Sequence, residues 1–196
     1  MRPGPTGPGD PGADADDGDD RLRRRVLWAM PTGLFVVGSR SGADRNLMTC
    51  NWVMQVATSP TLVAVGVESG SVTRGLIESG GSFSVSLLAR SERALVRRFV
   101  KAVRDVEVDA TGAAVALQGE PVVEVAGGLP VLSAAVAWVA CSVRSVLDWD
   151  GGDRAGAGSH VLVVGEVVDV GATDRLGGDG DDAVLSMGDT RMSYGG

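Results

Sequence analysis

Between residues 34 and 170 the chain passes repeatedly through short runs of aliphatic and β-branched residues, each closed by Gly, Pro or Ser. Residues 34–38, 46–52, 61–67, 83–88, 134–146, 160–170 and 183–187 read as strands, with 39–45 a hairpin turn and 134–146 paired with 160–170 as a second hairpin. Helical patterns are few. Asp20 is expected to cap a short basic helix over 21–30 that Pro31 ends. Ser71 caps a helix over 72–78 stopped by Gly80-Gly81. Ser91 opens one to about 102, with Leu95, Phe99 and Val103 on one face. Strands without regular crossover helices argue against a doubly wound α/β sheet. They favour a mainly β fold, a closed and mostly antiparallel barrel with a few peripheral helices.

The chain has 196 residues, room for one ordinary domain, and only 4% are aromatic, so the core must be built from Val, Leu and Ala. Net charge is −7, but residues 1–20 hold six Asp against Arg2 alone, which leaves only −2 for the other 176 residues. That first stretch, with four Pro and no aromatic or β-branched residue except Thr6, is expected to be a disordered acidic tail, and residues 21–196 the folded domain. A nearly neutral domain is expected to present no basic face, so nucleic acid is not an expected partner. No apolar run reaches the 18 or so residues of a membrane span. No basic stretch followed by an apolar run stands at the N-terminus, so a cytoplasmic chain with Cys50 and Cys141 as free thiols is expected. One histidine, His160, and no Cys-x-x-Cys spacing speak against a metal site. Lys101, the sole lysine, falls on the expected surface helix.

Two polar clusters carry chemistry. In Asn46-Leu47-Met48-Thr49-Cys50-Asn51-Trp52, Thr49 and Asn51 share a strand face about 7 Å apart. With the neighbouring amides they suit a flat heterocycle or a phosphate, and a sheet with one wet face explains them equally well. In Ser69-Gly70-Ser71-Val72-Thr73-Arg74 a strand end leads into a helix N-terminus, which favours an anion, with hydroxyls at Ser71 and Thr73 and charge at Arg74. An ordinary N-cap explains that cluster too. Neither a G-x-G-x-x-G after a strand nor a phosphate-binding P-loop is present.

Taken in order, these segments resemble the flavin reductase-like, FMN-binding split-barrel family. Pro31-Thr32-Gly33 with the run after it looks like the family's first strand. Residues 46–52 resemble its flavin-cradling N-x-M-T-x-[SN]-W segment. Ser59-Pro60, Ser71-Val72-Thr73 with Ile77, Phe83-Ser84-Val85-Ser86-Leu87-Leu88, Ser159-His160 with Gly165-Glu166-Val167, and Arg191 with Tyr194-Gly195 follow in the family's sequence. Ser86 stands where Asn is usual, Ser159 where Asp is usual, and Thr61 where a second proline is common.

The resemblance implies an antiparallel split β-barrel of Greek-key type that binds FMN or FAD at a homodimer interface and reduces it with NADH or NADPH. Reduced flavin would serve a separate flavin-dependent monooxygenase. It assigns Asn46, Met48, Thr49, Cys50, Asn51 and Trp52 to the flavin cradle, and Ser71, Thr73 and Arg74 to the phosphate. Ser86 and Leu87 would lie along the isoalloxazine, with His160 at the nicotinamide, where a structural histidine is the competing reading. A non-catalytic flavin- or haem-binding module and a deazaflavin-dependent reductase are the alternatives on related barrels. Trp28, Trp52, Trp138 and Trp149 are expected in core or dimer packing, and Cys141 as a small buried hydrophobe.

Overall fold

Alternation of apolar and polar residues decides which side of each strand faces inward. In the computed structural model, which describes residues 11–150, 157–190 and 192, the elements in chain order are α1 (Pro11–Trp28), β1 (Phe35–Ser41), β2 (Asp44–Cys50), β3 (Val53–Thr58) and β4 (Thr61–Glu68). They continue with α2 (Val72–Gly80), β5 (Ser82–Leu87), β6 (Val106–Val108), β7 (Ala114–Leu117) and β8 (Glu120–Val125). Last come β9 (Leu129–Leu132), β10 (Ala137–Asp150) and β11 (Ala157–Ala172). Seven strands form one antiparallel sheet in the order β2-β1-β5-β10-β11-β4-β3, and four form a second, β6-β7-β8-β9.

The large sheet cannot be flat. Its two outermost strands, β2 and β3, are joined by Asn51 and Trp52 alone. Seven flat strands would separate those edges by about 29 Å, whereas three residue steps reach about 11 Å at most. The sheet therefore curls until its edges meet, around Val37, Cys50, Val63, Val65, Val67, Phe83, Val85, Cys141, Val161 and Val163, all buried. Among the described ladders none joins β2 to β3, so the wall is split there. Cys50 Sγ of β2 donates across the gap to Gly66 O at 3.4 Å, and the β3–β4 pairing runs one step further, with Gly66 N donating to Trp52 O at 2.8 Å. Phe83 fills the middle of this aromatic-poor interior because Gly165 faces it. A Cβ at Gly165 would lie 2.5 Å from Phe83 Cε1 and 2.8 Å from Cys141 Cβ.

The outward side of β5 holds the second sheet. Ser84 Oγ donates to Pro130 O at 2.7 Å, and Leu132 N donates to Ser86 Oγ at 3.1 Å. A buried Arg45–Glu124 ion pair ties β2 to β8. Arg45 also donates to Ala43 O and Gly112 O, and Glu124 accepts the Ala114 amide at 2.9 Å.

Several expectations need correction. The first helix starts at Pro11, so residues 11–20, expected to be a disordered tail, are helical. An acidic first half and a basic second half complement the helix dipole, and Asp20 pairs with Arg23 and Arg24 one turn on. The chain divides into two units, Met1–Pro31 with Met192–Gly196, and Thr32–Arg191. No helix forms over 91–102. Two short 3-10 segments, Arg90–Glu92 and Leu95–Phe99, stand in its place. Thr49 Oγ1 donates to Val96 O, and Asn46 Oδ1 accepts Val103 N at 2.8 Å. An α-helical ladder would need both of those main-chain groups. Residues 183–187 make only isolated bridges, Gly33↔Ser186 and Ala89↔Val184. Arg191, Tyr194 and Gly195 lie outside the described residues.

Candidate functional site

The period of two splits the 46–52 segment between two environments. Cys50 points into the barrel and Met48 packs half-buried against the same interior cluster. Asn46 lies on that same face and Thr49 on the opposite one, and neither is open to solvent, at 2% and 8% exposure. Thr49's hydroxyl is spent on Val96 O. Asn46 is a clamp with two ends: Nδ2 donates to Thr73 Oγ1 at 2.9 Å, and Oδ1 accepts Val103 N. The strand ends at the Asn51-Trp52 corner. Asn51 is half-buried there, and Trp52 is 41% exposed.

The clamp fixes the first turn of α2. Ser71 caps the helix, accepting the Arg74 amide at 3.2 Å and donating to Glu68 O at 2.8 Å, and Gly81 closes it in the left-handed conformation. First-turn amides such as those of Val72 and Thr73 precede the reach of the helix's own ladder and point at whatever sits beyond the cap. Thr73's side chain is buried against Asn46 and does not present its hydroxyl at the turn surface. Arg74 is fully engaged: Nε donates to Glu78 at 2.9 Å, Nη2 to Asp148 at 2.8 Å and Nη1 to Ser69 O at 3.3 Å. The hydrogen bond to Glu78 heads the causes that hold its pKa above the ordinary arginine value. Asp148, 74 residues away at the end of β10, was not legible as a partner because nothing local in the sequence links the two.

His160 opens the described, half-buried part of β11 opposite Glu68 of β4. Its ring meets Trp52 edge to face, with centroids 4.6 Å apart and planes at 72°, and Nδ1 lies 3.0 Å from Ser159 Oγ. That contact occupies Nδ1 and leaves Nε2 as the ring nitrogen available to a ligand. The structure thus brings the corner, the α2 turn and His160 to one end of the β4–β11 pair. Ser86 and Leu87 are used otherwise: Ser86 is fully buried and holds Leu132 N, and Leu87 packs on the barrel interior. A cavity of about 410 Å³ lined by Arg98, Asp105, Gln118 and Gly119 shares no residue with this site.

Both thiols are free and buried. Burial pushes Cys50 up to about 11, against a smaller opposing effect of the Trp52 backbone, and burial pushes Cys141 up to about 12. We expect both to resist a thiol-specific disulfide reagent at pH 8 in the native protein and to react at once in denaturant. Stoichiometric labelling of the native chain would contradict their placement.

A flavin nucleotide, the group the resemblance implies, fits what is present. Trp52 and His160 offer exposed ring surface beside the corner, and a Cβ at Gly70 would meet nothing within 4 Å, so the turn before α2 is open to a phosphate. Residues 27–192 match the family model described as flavin reductase like domain. The NADH-dependent flavin reductase StyB of Pseudomonas fluorescens is 31% identical over 134 residues, 68% of this chain and 72% of that protein. The fold is similar to NADH:FAD oxidoreductase SgcE6 of Streptomyces globisporus, solved with NAD and FAD fragments. The TM-score is 0.61 at 26% identity over 80% of this chain and 85% of that one. The styrene monooxygenase flavin reductase of Pseudomonas putida S12 gives a TM-score of 0.59 at 26% identity, covering 76% and 86%. On the strength of a match over residues 27–192, carried on a split antiparallel wall, the chain belongs to the flavin reductase-like domain family.

Proposed function

We propose that this chain is an NAD(P)H-dependent flavin reductase acting on FMN or FAD as a cytoplasmic homodimer, and that it supplies reduced flavin to a separate monooxygenase. The observation that carries the reading is the Trp52–His160 contact, which sets the corner after β2 against the start of β11 in a member of this family. When bound, the flavin supplies the hydride-accepting chemistry. The protein supplies the rest. The Asn51-Trp52 corner shelves a flat ring, the first-turn amides of α2 hold its phosphate, and His160 Nε2 orients a nicotinamide carboxamide while Ser159 holds the imidazole through Nδ1. No nucleophile or carboxylate pair is needed. Among the described residues no helix is long and apolar enough to cross a membrane. Exposed Met54 and Val56 on β3, with Val168 and Val170 on β11, offer apolar surface to a second copy.

The test is oxidation of NADH or NADPH followed at 340 nm with and without added FMN or FAD. Turnover that needs the flavin is expected, from a species that light scattering weighs at twice the 20.0 kDa chain. Flavin binding without turnover would move the reading to a non-catalytic module. Replacing His160 with Ala is expected to raise the nicotinamide nucleotide KM by about tenfold, the loss of one charge-free hydrogen bond plus ring packing, with the flavin KM little changed. Unaltered kinetics would remove His160 from the site.

A further inference from the structure

The segment 90–105 is a strongly basic strap on an acidic protein. It carries Arg90, Arg93, Arg97, Arg98, Lys101 and Arg104 against Glu92 and Asp105, a net +4, which leaves −11 for the rest of a chain whose total is −7. The near-neutral average of the body therefore hid a basic face. Arg90 pairs with Asp189 and Arg98 with Glu120, while the exposed Arg93, Arg97, Lys101 and Arg104 make no ion pair among the described residues. Elsewhere in the body Arg45, Arg74, Arg144 and Arg175 are each held by a carboxylate.

The α2 turn has the opposite imbalance. Its one cation, Arg74, already faces Glu78 and Asp148, so the turn offers amides but no net positive charge. A phosphate monoester brings about −1.5 to −2 at neutral pH. Arg104 follows Val103 directly and Lys101 precedes it by two residues, and the Val103 amide is joined through the buried Asn46 clamp to Thr73 in that turn. Two hydrogen bonds thus tie the main chain that carries the uncompensated cations to the first turn of α2.

Resting on the reductase reading, we infer that Lys101 and Arg104 bind the phosphate of a nucleotide at this site, supplying the charge that Arg74 cannot. The phosphate belongs either to the flavin or to the nicotinamide nucleotide, and both sources are separable. In the double variant Lys101→Glu/Arg104→Glu, binding of FMN, FAD and riboflavin is titrated by flavin fluorescence, and KM is measured for NADH and NADPH, with Arg93→Glu as control. A rise of about tenfold or more in the Kd of FMN and FAD, with riboflavin unchanged, supports the proposal with flavin as the source. A similar rise confined to the KM of NADH or NADPH supports it with the nicotinamide nucleotide as the source. Equal weakening of riboflavin, equal weakening in Arg93→Glu, or indifference of every nucleotide overturns it. Indifference combined with salt-sensitive binding of poly-L-glutamate that the double variant loses overturns it in favour of an acidic protein partner. A wild-type protein that neither binds flavin nor oxidises NAD(P)H removes the reductase reading itself. An active wild type with an indifferent double variant removes only the strap's role.

Discussion

Replacing Glu124 with Ala lowers the free energy of unfolding by about 3–5 kcal/mol, the cost of leaving a buried charge without its partner. The Arg45 side chain is 3% exposed, and its other two hydrogen bonds go to neutral carbonyls that cannot balance it. The same substitution strands the Ala114 amide. Urea unfolding of the two proteins at pH 7 measures the difference, and a loss below about 1 kcal/mol, the range of exposed pairs, would show that the ion pair is solvated. Converting Arg45 and Glu124 together to Met should recover most of the loss. The pair also has an acid signature. Burial works to raise the Glu124 pKa, but the Ala114 amide and Arg45 outweigh it, so the folded value lies below the ordinary one. A depressed folded pKa means the contribution is complete above the unfolded value of about 4.3 and is lost as pH falls through the lower folded value. The gap between wild type and Glu124→Ala should accordingly close in that acid window.

Asn46→Ala should cost about 2–4 kcal/mol, because the buried Thr73 Oγ1 and the half-buried Val103 N would both lose their partner, at about 1–3 kcal/mol each. Its functional signature differs from that of a general loss of stability. With the clamp gone, the α2 turn and the basic strap are no longer held in register, so the flavin KM should rise while kcat at saturating flavin is retained. Asn46→Asp is the informative companion. Its carboxylate still accepts Val103 N and can accept the Thr73 hydroxyl, which turns from acceptor to donor. That variant should therefore recover much of the stability. A kcat loss equal to the change in kcat/KM in both variants would place Asn46 at the reacting atoms instead of behind them.

The parts of this fold that could be read from the sequence are those decided locally. Phe83, Val85 and Leu87 alternate with serines, and β5 forms where that pattern stands. Helix α2 carries both of its caps in its own sequence, Ser71 and Gly81. The β10–β11 hairpin announces itself by length. Strand β3 was missed because an edge strand exposed on both faces has no alternation to show; only Val53 and Ala57 are even half-buried. The second sheet, built of strands three to six residues long, was missed for want of a period. The strap reads as a helix in isolation and is prevented from being one by two side chains of β2. The site divides the same way. Its segments were legible as motifs in order. The orientation of each side chain was not, since Thr49, Thr73 and Ser86 are held in buried positions by partners 47, 27 and 46 residues away.

The two-residue joint between the outer strands bears on how this protein should respond to what it binds. Everywhere else, parting neighbouring strands means breaking a row of main-chain hydrogen bonds. At the joint it means breaking very few. Loosening of the wall is therefore cheapest at the seam where Asn51 and Trp52 sit, and a molecule lodged there acts as mortar across the weakest course. Melting temperature should consequently track occupancy of the corner more steeply than the number of residues touched would suggest, because binding to the folded state alone adds directly to its stability.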